Sequence, residues 1–468
     1  MGPKLNLVKI QAEAFRKRGL KFLVSMHHVF HFIGYYQYAP KMTDPSLQKL
    51  FGQLPGDQEQ QIWSDKLKEL IDEFLPDVLW QDAFLYAVQE NRRLEFLSYY
   101  YNAALDANKE VVATGKDGIV DDQNTHPGQV LDYERGGPAD IKTPPWLTDD
   151  SLAAGSWCYT EGMQYYSDEA LIHGFIDRVS KGGNLLLNVS PMPDGTFPQR
   201  QQDILKAFGT FLKQAGTAIY NTRAWDVYGD GPTKMGGGNF QSPIAGTPSD
   251  IRYTKSKDGD AVYAILLGWP GDGKQVTLSA VTKTRFDVGS GRVFLFAAAD
   301  GSASSLPFTQ DDSGLHVTLP STQPYAAIAY AVKISKSGSE PAPTPWLTNG
   351  NDADAGVDEG GVAGGGSGTG GNSGAGGGSA GGTTPSSSGG AFVSGGASNG
   401  GTGGVGGHAV AGASGTSASH AASSSGCACT VETAGTGGAG EALAVLALSG
   451  ACLVRSRGRR GKSRSQVN

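Results

Sequence analysis

Residues 75–84, LPDVLWQDAF, place an acidic side chain one step beyond a short apolar run. Val78 to Trp80 is too short for a helix, and it follows the helical periodicity of residues 62–75, which ends at Pro76. A helix that leads into a short buried strand is the repeating unit of a parallel sheet. In a barrel of such units, the residue at the carboxyl end of a strand faces the active site. The stretch therefore predicts a parallel α/β sheet and makes Asp82 the first candidate for a catalytic residue.

The same alternation of helix and strand recurs through residues 1–224. Apolar runs predict strands at 20–24, 77–82, 110–114, 129–134, 184–189 and 218–220. Helical spacing predicts helices at 5–18, 59–75, 89–106, 168–180 and 200–214. These are about five or six strands, whereas a closed barrel of this type needs about eight. The sequence therefore predicts a partial (β/α)8 TIM-like barrel that lacks its first strands.

After the predicted barrel, the pattern changes twice. Residues 225–336 contain short apolar strands separated by turn signals, which is typical of a small all-β sandwich. Residues 337–426 are dominated by glycine and serine and cannot bury enough apolar surface to offset the entropy of ordering, so we expect a disordered linker. Residues 427–468 form a fourth segment with a composition of its own.

Composition and charge exclude some classes of function. The chain has a net charge of -7 and no basic stripe in its globular part, so nucleic acid is not expected as a partner. Of the four cysteines, only Cys158 lies in the predicted folded region, which therefore has no disulfide framework. The first 25 residues contain no uninterrupted apolar run of the signal-peptide type.

The carboxyl-terminal segment combines SSSGCACT, the apolar run of residues 442–454 and a cluster of arginines. The apolar run is shorter than the span of about 20 residues that crosses a membrane. It is consistent with a disordered end that carries an apolar patch. The order of cysteine, apolar run and arginines also resembles the C-terminal sorting tail of myxobacterial exported proteins. That resemblance implies processing or lipid modification at Cys427, anchoring to a membrane or cell surface, and an extracellular or surface location.

Four stretches carry a resemblance to a known enzyme family. They are LPDVLWQD, GSWCY at 155–159, DEALIHGFIDRVSKGGNLLLNVSPMPDGTFP at 168–198 and AFGTFLKQAGTAIYNTRAW at 207–225. In order and spacing they resemble the α-L-fucosidases of glycoside hydrolase family 29. The resemblance implies a TIM-like barrel that releases terminal fucose from glycans with retention of configuration and without a cofactor. It also places histidine motifs on strands that would precede Met1, so we expect Met1 to be either a misassigned start or the start of a truncated protein.

The resemblance implies that Asp82 is the nucleophile that attacks the anomeric carbon of fucose. A carboxylate can do this only if it stays ionised and fixed in place. The residues alone also allow a helix-capping or solvated loop aspartate. A retaining hydrolase needs a second carboxyl group close to the first, and Glu134 in LDYERG is the first candidate, with Glu161 in SWCYTEG as its rival. Glu134 could instead form a surface ion pair with Arg135.

Three further residues are predicted to bind the sugar. The resemblance implies that Trp157 packs against the methyl side of fucose, although an ordinary core aromatic would fit the same pattern. Trp80 could line the pocket or be buried in its strand. His27 is predicted to hydrogen-bond sugar hydroxyls. His27, His28 and His31 form an HHxxH pattern, but the acidic ligands and spacing of a zinc site are absent, so no metal is predicted.

The sequence therefore favours an α-L-fucosidase that acts on fucosylated glycans. The alternative is a degenerate, non-catalytic relative that binds carbohydrate at the cell surface.

Overall fold

The computed structural model describes residues 5–31, 39–82, 84–116, 118–119, 128–296 and 302–342. The Gly/Ser-rich linker beyond residue 342 and the segment around Cys427 lie outside these residues. Within the described part of the chain, no helix has both the length and the apolar character needed to cross a membrane.

Six parallel strands form the first sheet. They run in the order β1 to β6, and each pairs with the next in parallel. Their bounds are β1 Leu23–Met26, β2 Val78–Gln81, β3 Val112–Lys116, β4 Val130–Glu134, β5 Trp146–Ser151 and β6 Gly183–Asn188. This sheet matches the predicted partial barrel of an α/β protein, because consecutive strands lie side by side with their carboxyl ends at one edge.

Helices connect several of these strands, as the periodicity predicted. They are α1 Leu7–Lys17, α2 Pro45–Leu50, α3 Gly56–Phe74, α4 Glu90–Asp106, α5 Asp168–Ser180 and α6 Gln199–Ala215. Five of them agree closely with the predicted ranges. The short helix α2 was not predicted, although Asp44 caps it by accepting a hydrogen bond from the backbone N–H of Ser46 at 2.8 Å.

The stretch at 75–84 carries one carboxylate at each end of β2. Helix α3 ends at Phe74, and the next residue, Leu75, adopts a left-handed backbone with φ of 38° before Pro76. Asp77 is buried at the amino end, where its Oδ2 accepts a hydrogen bond from the backbone N–H of Phe22 at 2.8 Å. The ammonium groups of Lys21 and Lys109 each lie 3.3 Å from its Oδ1. Asp77 thus ties β2 to the chain before β1, and Asp82 lies at the opposite, carboxyl end of β2.

The sequence prediction fails at two places in this region. Strand β5, Trp146–Ser151, was not predicted, since its second half reads TDDS and looks like a turn. The strand predicted at 218–220 is wrong, because Gly216–Ala218 form a turn of 3₁₀-helix that ends α6. The next strand, β7 Thr222–Asp230, pairs antiparallel with β8 and belongs to the second half of the fold.

Residues from β7 onward form two antiparallel sheets. One has the order β12-β11-β15-β9-β8-β7 and the other β10-β14-β13. Their bounds are β8 Ile251–Ser256, β9 Ala261–Leu266, β10 Gln275–Leu278, β11 Arg292–Phe296, β12 Ala303–Ser305, β13 Phe308–Asp311, β14 Gly314–Thr318 and β15 Tyr330–Ser335. This is the β-rich C-terminal domain that the short strands predicted.

Strand β9 is apolar on both faces because each face meets a different core. Val262, Ala264 and Leu266 pack in the core between the two antiparallel sheets. Tyr263 and Ile265, which alternate with them, pack in a separate cluster with apolar residues of α5 and α6. The second half of the fold therefore packs directly onto helices of the parallel sheet.

A buried ion-pair network also joins the two halves. The Arg252 Nε on β8 donates to Asp177 Oδ1 on α5 at 2.6 Å, and Lys181 Nζ donates to Asp177 Oδ2 at 2.7 Å. Arg252 is only 1% exposed. A buried charge left without its partner is costly, so this network fixes α5, and through it β5 and β6, in one position.

Candidate active site

The carboxyl ends of four adjacent strands bring acidic side chains around one lysine. Asp82 follows β2, Lys116 ends β3, Glu134 ends β4 and Asp149 lies in β5. The Lys116 Nζ is 3.0 Å from Asp82 Oδ1, 3.1 Å from Glu134 Oε2 and 3.4 Å from Asp149 Oδ2. The site is thus built where a parallel barrel places its chemistry.

Asp82 is buried and held from two sides. It is 8% exposed, so it is not a solvated loop residue. Its Oδ1 faces Lys116, and its Oδ2 lies 3.1 Å from the Nε2 of His27. Its backbone N–H donates to the carbonyl oxygen of Met26 at 3.2 Å, which extends the pairing of β1 and β2 by one residue. The carboxylate is therefore held in a defined orientation by the sheet and by two basic side chains.

Glu134 lies in the site, whereas Glu161 does not share this lysine. Because Asp82 Oδ1 and Glu134 Oε2 both contact Lys116 Nζ, they cannot be farther apart than 3.0 Å plus 3.1 Å, about 6.1 Å. The other oxygen of Glu134, Oε1, is buried and accepts no hydrogen bond from any residue the structure describes. Glu161 is exposed in the loop between β5 and α5. The geometry therefore favours Glu134 over Glu161 as the second carboxyl group.

The carboxylates keep Lys116 charged although it is buried. Burial by itself lowers the pKa of an ammonium group, but the carboxylates of Asp149, Asp82 and Glu134 outweigh it and raise the pKa of Lys116 above its ordinary value. A permanent positive charge therefore lies between the two candidate catalytic carboxyl groups. In a site of low dielectric, such a charge stabilises an ionised Asp82 far more than it would in water.

A second carboxyl pair lies beside this cluster. Asp132 on β4 accepts a hydrogen bond from the indole Nε1 of Trp80 at 2.8 Å. Burial raises the pKa of Asp132 to about 6, although the Trp80 hydrogen bond opposes the shift. Burial and the adjacent Asp132 raise the pKa of Asp149 to about 9, against the lowering effect of Lys116.

Aromatic rings border the lysine. The Lys116 Nζ lies 5.3 Å from the ring centroid of Trp80 and 5.5 Å from that of Trp157. The guanidinium of Arg135 stacks on Trp157 at 4.1 Å, so Arg135 contacts this ring rather than forming the ion pair with Glu134 that the sequence allowed. The imidazole of His27 lies 5.4 Å from the Trp80 ring, and its side chain is 49% exposed. Trp80, Trp157 and His27 therefore lie at one site.

The other two histidines of the HHxxH pattern point elsewhere. His28 is buried with its Nδ1 3.2 Å from Lys66 Nζ and its Nε2 3.5 Å from Glu59 Oε2. Burial and Lys66 lower the pKa of His28 to about 3, so this ring is neutral. A lysine ammonium against the ring nitrogen does not suit a cation site. Among the described residues, no group of three or more histidine, cysteine or acidic side chains is arranged to hold a metal ion.

Sequence reasoning missed three members of the cluster: Lys116, Asp132 and Asp149. Asp132 carried a usable signal, because it lies two residues before Glu134 and a strand of period two puts both on one face. Lys116 was missed because the predicted strand stopped at residue 114, which left the lysine in a loop. Asp149 was missed together with β5. A buried lysine at the end of a strand could have been found only from the correct strand register.

The fold and site together define a class of protein. A parallel barrel sheet that holds two carboxyl groups with oxygens within about 6 Å of each other, bordered by aromatic side chains, is typical of a glycoside hydrolase. Comparison with known proteins narrows the class. Residues 1–217 match the sequence model of the α-L-fucosidase family, and residues 246–335 match that of the α-L-fucosidase C-terminal domain.

Comparisons with individual proteins point to the same family as these sequence models. The plasma α-L-fucosidase of Rattus norvegicus is 30% identical over 45% of this chain and 43% of its own length. The tissue α-L-fucosidase of Homo sapiens is 27% identical over 72% of this chain and 66% of its own length. A solved α-L-fucosidase structure superposes with a TM-score of 0.54 at 25% identity, covering 71% of this chain and 68% of that one. The chain thus spans less than half of the plasma relative, and the matches support a place for it among the α-L-fucosidases, a family of glycoside hydrolases.

Proposed function

We propose that this protein is an α-L-fucosidase that hydrolyses terminal α-L-fucose from fucosylated glycans with net retention of configuration. The observation that carries the proposal is the shared contact of Asp82 and Glu134 with Lys116, which limits their oxygens to at most about 6.1 Å. Retaining glycosidases hold their two carboxyl groups about 5–5.5 Å apart, whereas inverting enzymes leave about 6.5–9.5 Å for a water molecule. The limit for this pair of oxygens lies below the inverting range, which supports the retaining arrangement.

In the proposed reaction, Asp82 attacks the anomeric carbon while the bond from that carbon to the leaving oxygen breaks. Glu134 donates its proton to the leaving oxygen, so a fucosyl ester of Asp82 and a free alcohol form. Glu134, now ionised, then takes a proton from water, and that water attacks the anomeric carbon and releases Asp82 and fucose. The free Oε1 of Glu134 is the oxygen that can carry the proton, because its Oε2 faces the Lys116 ammonium.

The surrounding side chains suit a 6-deoxy sugar. The partly exposed Trp157 can offer part of its ring to the methyl side of fucose, and the half-exposed His27 can reach a sugar hydroxyl. Trp80 is only 5% exposed, so it lines the wall of the site from a buried position. The loop that carries Trp157 is held by β6, because Asn188 and Ser190 both donate side-chain hydrogen bonds to the Trp157 carbonyl oxygen at 2.8 Å. We assign His27, Trp80 and Trp157 to sugar binding on these grounds.

The first test is product stereochemistry. Full-length protein incubated with 4-nitrophenyl α-L-fucoside is expected to release fucose that is initially the α anomer, because two successive inversions give net retention. Proton NMR during the first minutes, before mutarotation, distinguishes the two anomers. β-Fucose as the first product would contradict the double displacement. Binding of fucose without any hydrolysis would favour the non-catalytic carbohydrate-binding alternative.

The second test separates the two candidate acids. Glu134→Gln is expected to lower kcat by on the order of 10²–10³-fold on a fucosyl-sugar substrate, because the poor leaving group needs a proton. The loss should be much smaller with 2,4-dinitrophenyl fucoside, whose leaving group departs without one. Glu161→Gln is the matched control and should behave as the wild type on both substrates. The reverse pattern would transfer the acid/base role to Glu161.

A further inference from the structure

Two buried aspartates beside Lys116 lie within hydrogen-bonding reach of each other. If both are ionised, neither side chain can donate the hydrogen bond. Asp132 and Asp149 are 2% and 5% exposed and lie on the adjacent strands β4 and β5. Each has one oxygen with a clear partner, since Trp80 donates to Asp132 Oδ2 and Lys116 lies against Asp149 Oδ2. The Oδ1 atom of each is buried and accepts no hydrogen bond from an N–H or O–H of any described residue.

Two ionised carboxylates cannot satisfy this arrangement. Both would be acceptors only, and a buried acceptor left without a donor destabilises the fold. Asp82 and Glu134 add two more acidic groups against the same ammonium, so full ionisation would leave a large excess of negative charge in a buried site. One proton between Asp132 and Asp149 satisfies both orphaned oxygens and reduces that excess.

We propose that Asp149 is protonated at neutral pH and donates a hydrogen bond to an ionised Asp132, so that the singly protonated pair positions Trp80 and leaves the charge of Lys116 to Asp82 and Glu134. Asp132 is the better anion of the two, since it accepts the indole N–H at 2.8 Å while Lys116 is 3.4 Å from Asp149. The charged groups that face Asp149 are Lys116 on β3 and Asp132 and Glu134 on β4. On its other side, β6 pairs Leu186 with Asp149, which adds no charge.

The role of the pair in catalysis rests on the proposed fucosidase activity, but its protonation does not. Asp132 fixes the indole of Trp80, whose ring lies 5.3 Å from Lys116 Nζ, so the pair supports one wall of the site without touching the sugar itself. An ionised Asp149 would compete with Asp82 and Glu134 for the ammonium. Both aspartates are therefore positioning residues.

Asp149→Asn is the decisive variant, because an asparagine reproduces a protonated aspartate. Its amide oxygen can still accept from Lys116, and its amide N–H can donate to Asp132 at every pH. Because Asp149 contacts Lys116 in the site, the readout is the pH profile of kcat and not its size at neutral pH. The wild type should lose activity as the pH rises through about 9, where Asp149 ionises. The variant should keep its activity there.

An unfolding measurement tests the protonation without reference to activity. The pKa of Asp149 is raised from about 3.9 in the unfolded chain to about 9 in the folded protein. The folded state therefore binds more protons in that window, and the free energy of unfolding contributed by Asp149 falls as the pH rises through it. The wild type should lose stability relative to Asp149→Asn between about pH 5 and 8, when both are unfolded in urea. The exposed Asp312→Asn should show no such difference.

Each outcome decides the inference. If Asp149→Asn and Asp312→Asn differ from the wild type by the same pH-independent amount, Asp149 is not protonated and the inference fails. If the unfolding difference is found but kcat of the wild type and of Asp149→Asn falls by the same factor as the pH rises through about 9, the positioning role fails. If the wild type has no fucosidase activity, the proposed function fails, and the unfolding curves still decide whether the pair holds a proton.

Discussion

Asp82→Ala is expected to lower kcat for 4-nitrophenyl α-L-fucoside by at least about 10⁴-fold, because removal of a nucleophile removes the covalent route altogether. The fold should survive, since the backbone of Asp82, not its side chain, continues the pairing with β1. Steady-state kinetics with both proteins at equal concentration measure the loss. The exposed Asp203→Ala on α6 is the matched control and should leave kcat unchanged.

Loss of activity alone does not distinguish a nucleophile from a structural aspartate, so rescue gives the sharper result. The alanine leaves room for a small anion beside Lys116, and added azide can attack the anomeric carbon in place of the carboxylate. We expect azide to restore part of kcat and to give β-L-fucosyl azide, the product of a single inversion. Wild-type rates in Asp82→Ala would rule out the assignment of Asp82. A fucosyl azide of retained configuration would exclude direct attack by azide on the substrate.

The main outline of the fold could be predicted from the sequence because its signals are local. The helices at 59–75 and 168–180 have long apolar periodicity, and α3 leads directly through Pro76 into β2. That local order is enough to place Asp82 at the carboxyl end of a strand. The antiparallel half was predicted for the same reason, since its short strands are separated by turn residues.

The charge network could not be predicted in the same way, because it depends on which strands are neighbours. Lys116 contacts residues that lie in or directly after three different strands, at sequence separations of 34, 18 and 33 residues. A boundary error of two residues at the end of β3 was sufficient to put this lysine in a loop. The last four residues of β5, TDDS, have low strand propensity, so the sequence carries no strand signal there. Their polar side chains are stabilised by the site instead.

The wrong strand at 218–220 has a related cause. Ala218 and Ile219 are buried, as predicted for a strand, but they pack in the cluster formed by α5, α6 and β9. A strand and a 3₁₀ turn can both be apolar and buried, so the sequence of this segment does not distinguish them. Only its contact with the antiparallel half decides between the two. The same contact determines where β7 begins.

Lys116→Met is expected to destabilise the protein by about 3–5 kcal/mol, because it removes the ammonium group that three buried carboxyl groups share. Methionine is close to lysine in length and keeps the packing between Trp80 and Trp157. Urea unfolding at neutral pH measures the loss. Lys206→Met, on the exposed face of α6, is the control and should change stability by less than about 0.5 kcal/mol.

The same variant should lower kcat by on the order of 10³-fold at neutral pH and shift the activity profile to higher pH. A carboxylate without a nearby cation takes up a proton more readily, so Asp82 would ionise only under more alkaline conditions in the variant. Part of the lost activity should therefore return as the pH is raised. Lys116→Arg keeps the charge and should retain the wild-type acid limb even if its bulk lowers kcat. A uniform loss in Lys116→Met with an unshifted pH profile would mean that Lys116 only fills space, and the electrostatic account of the site would have to be abandoned.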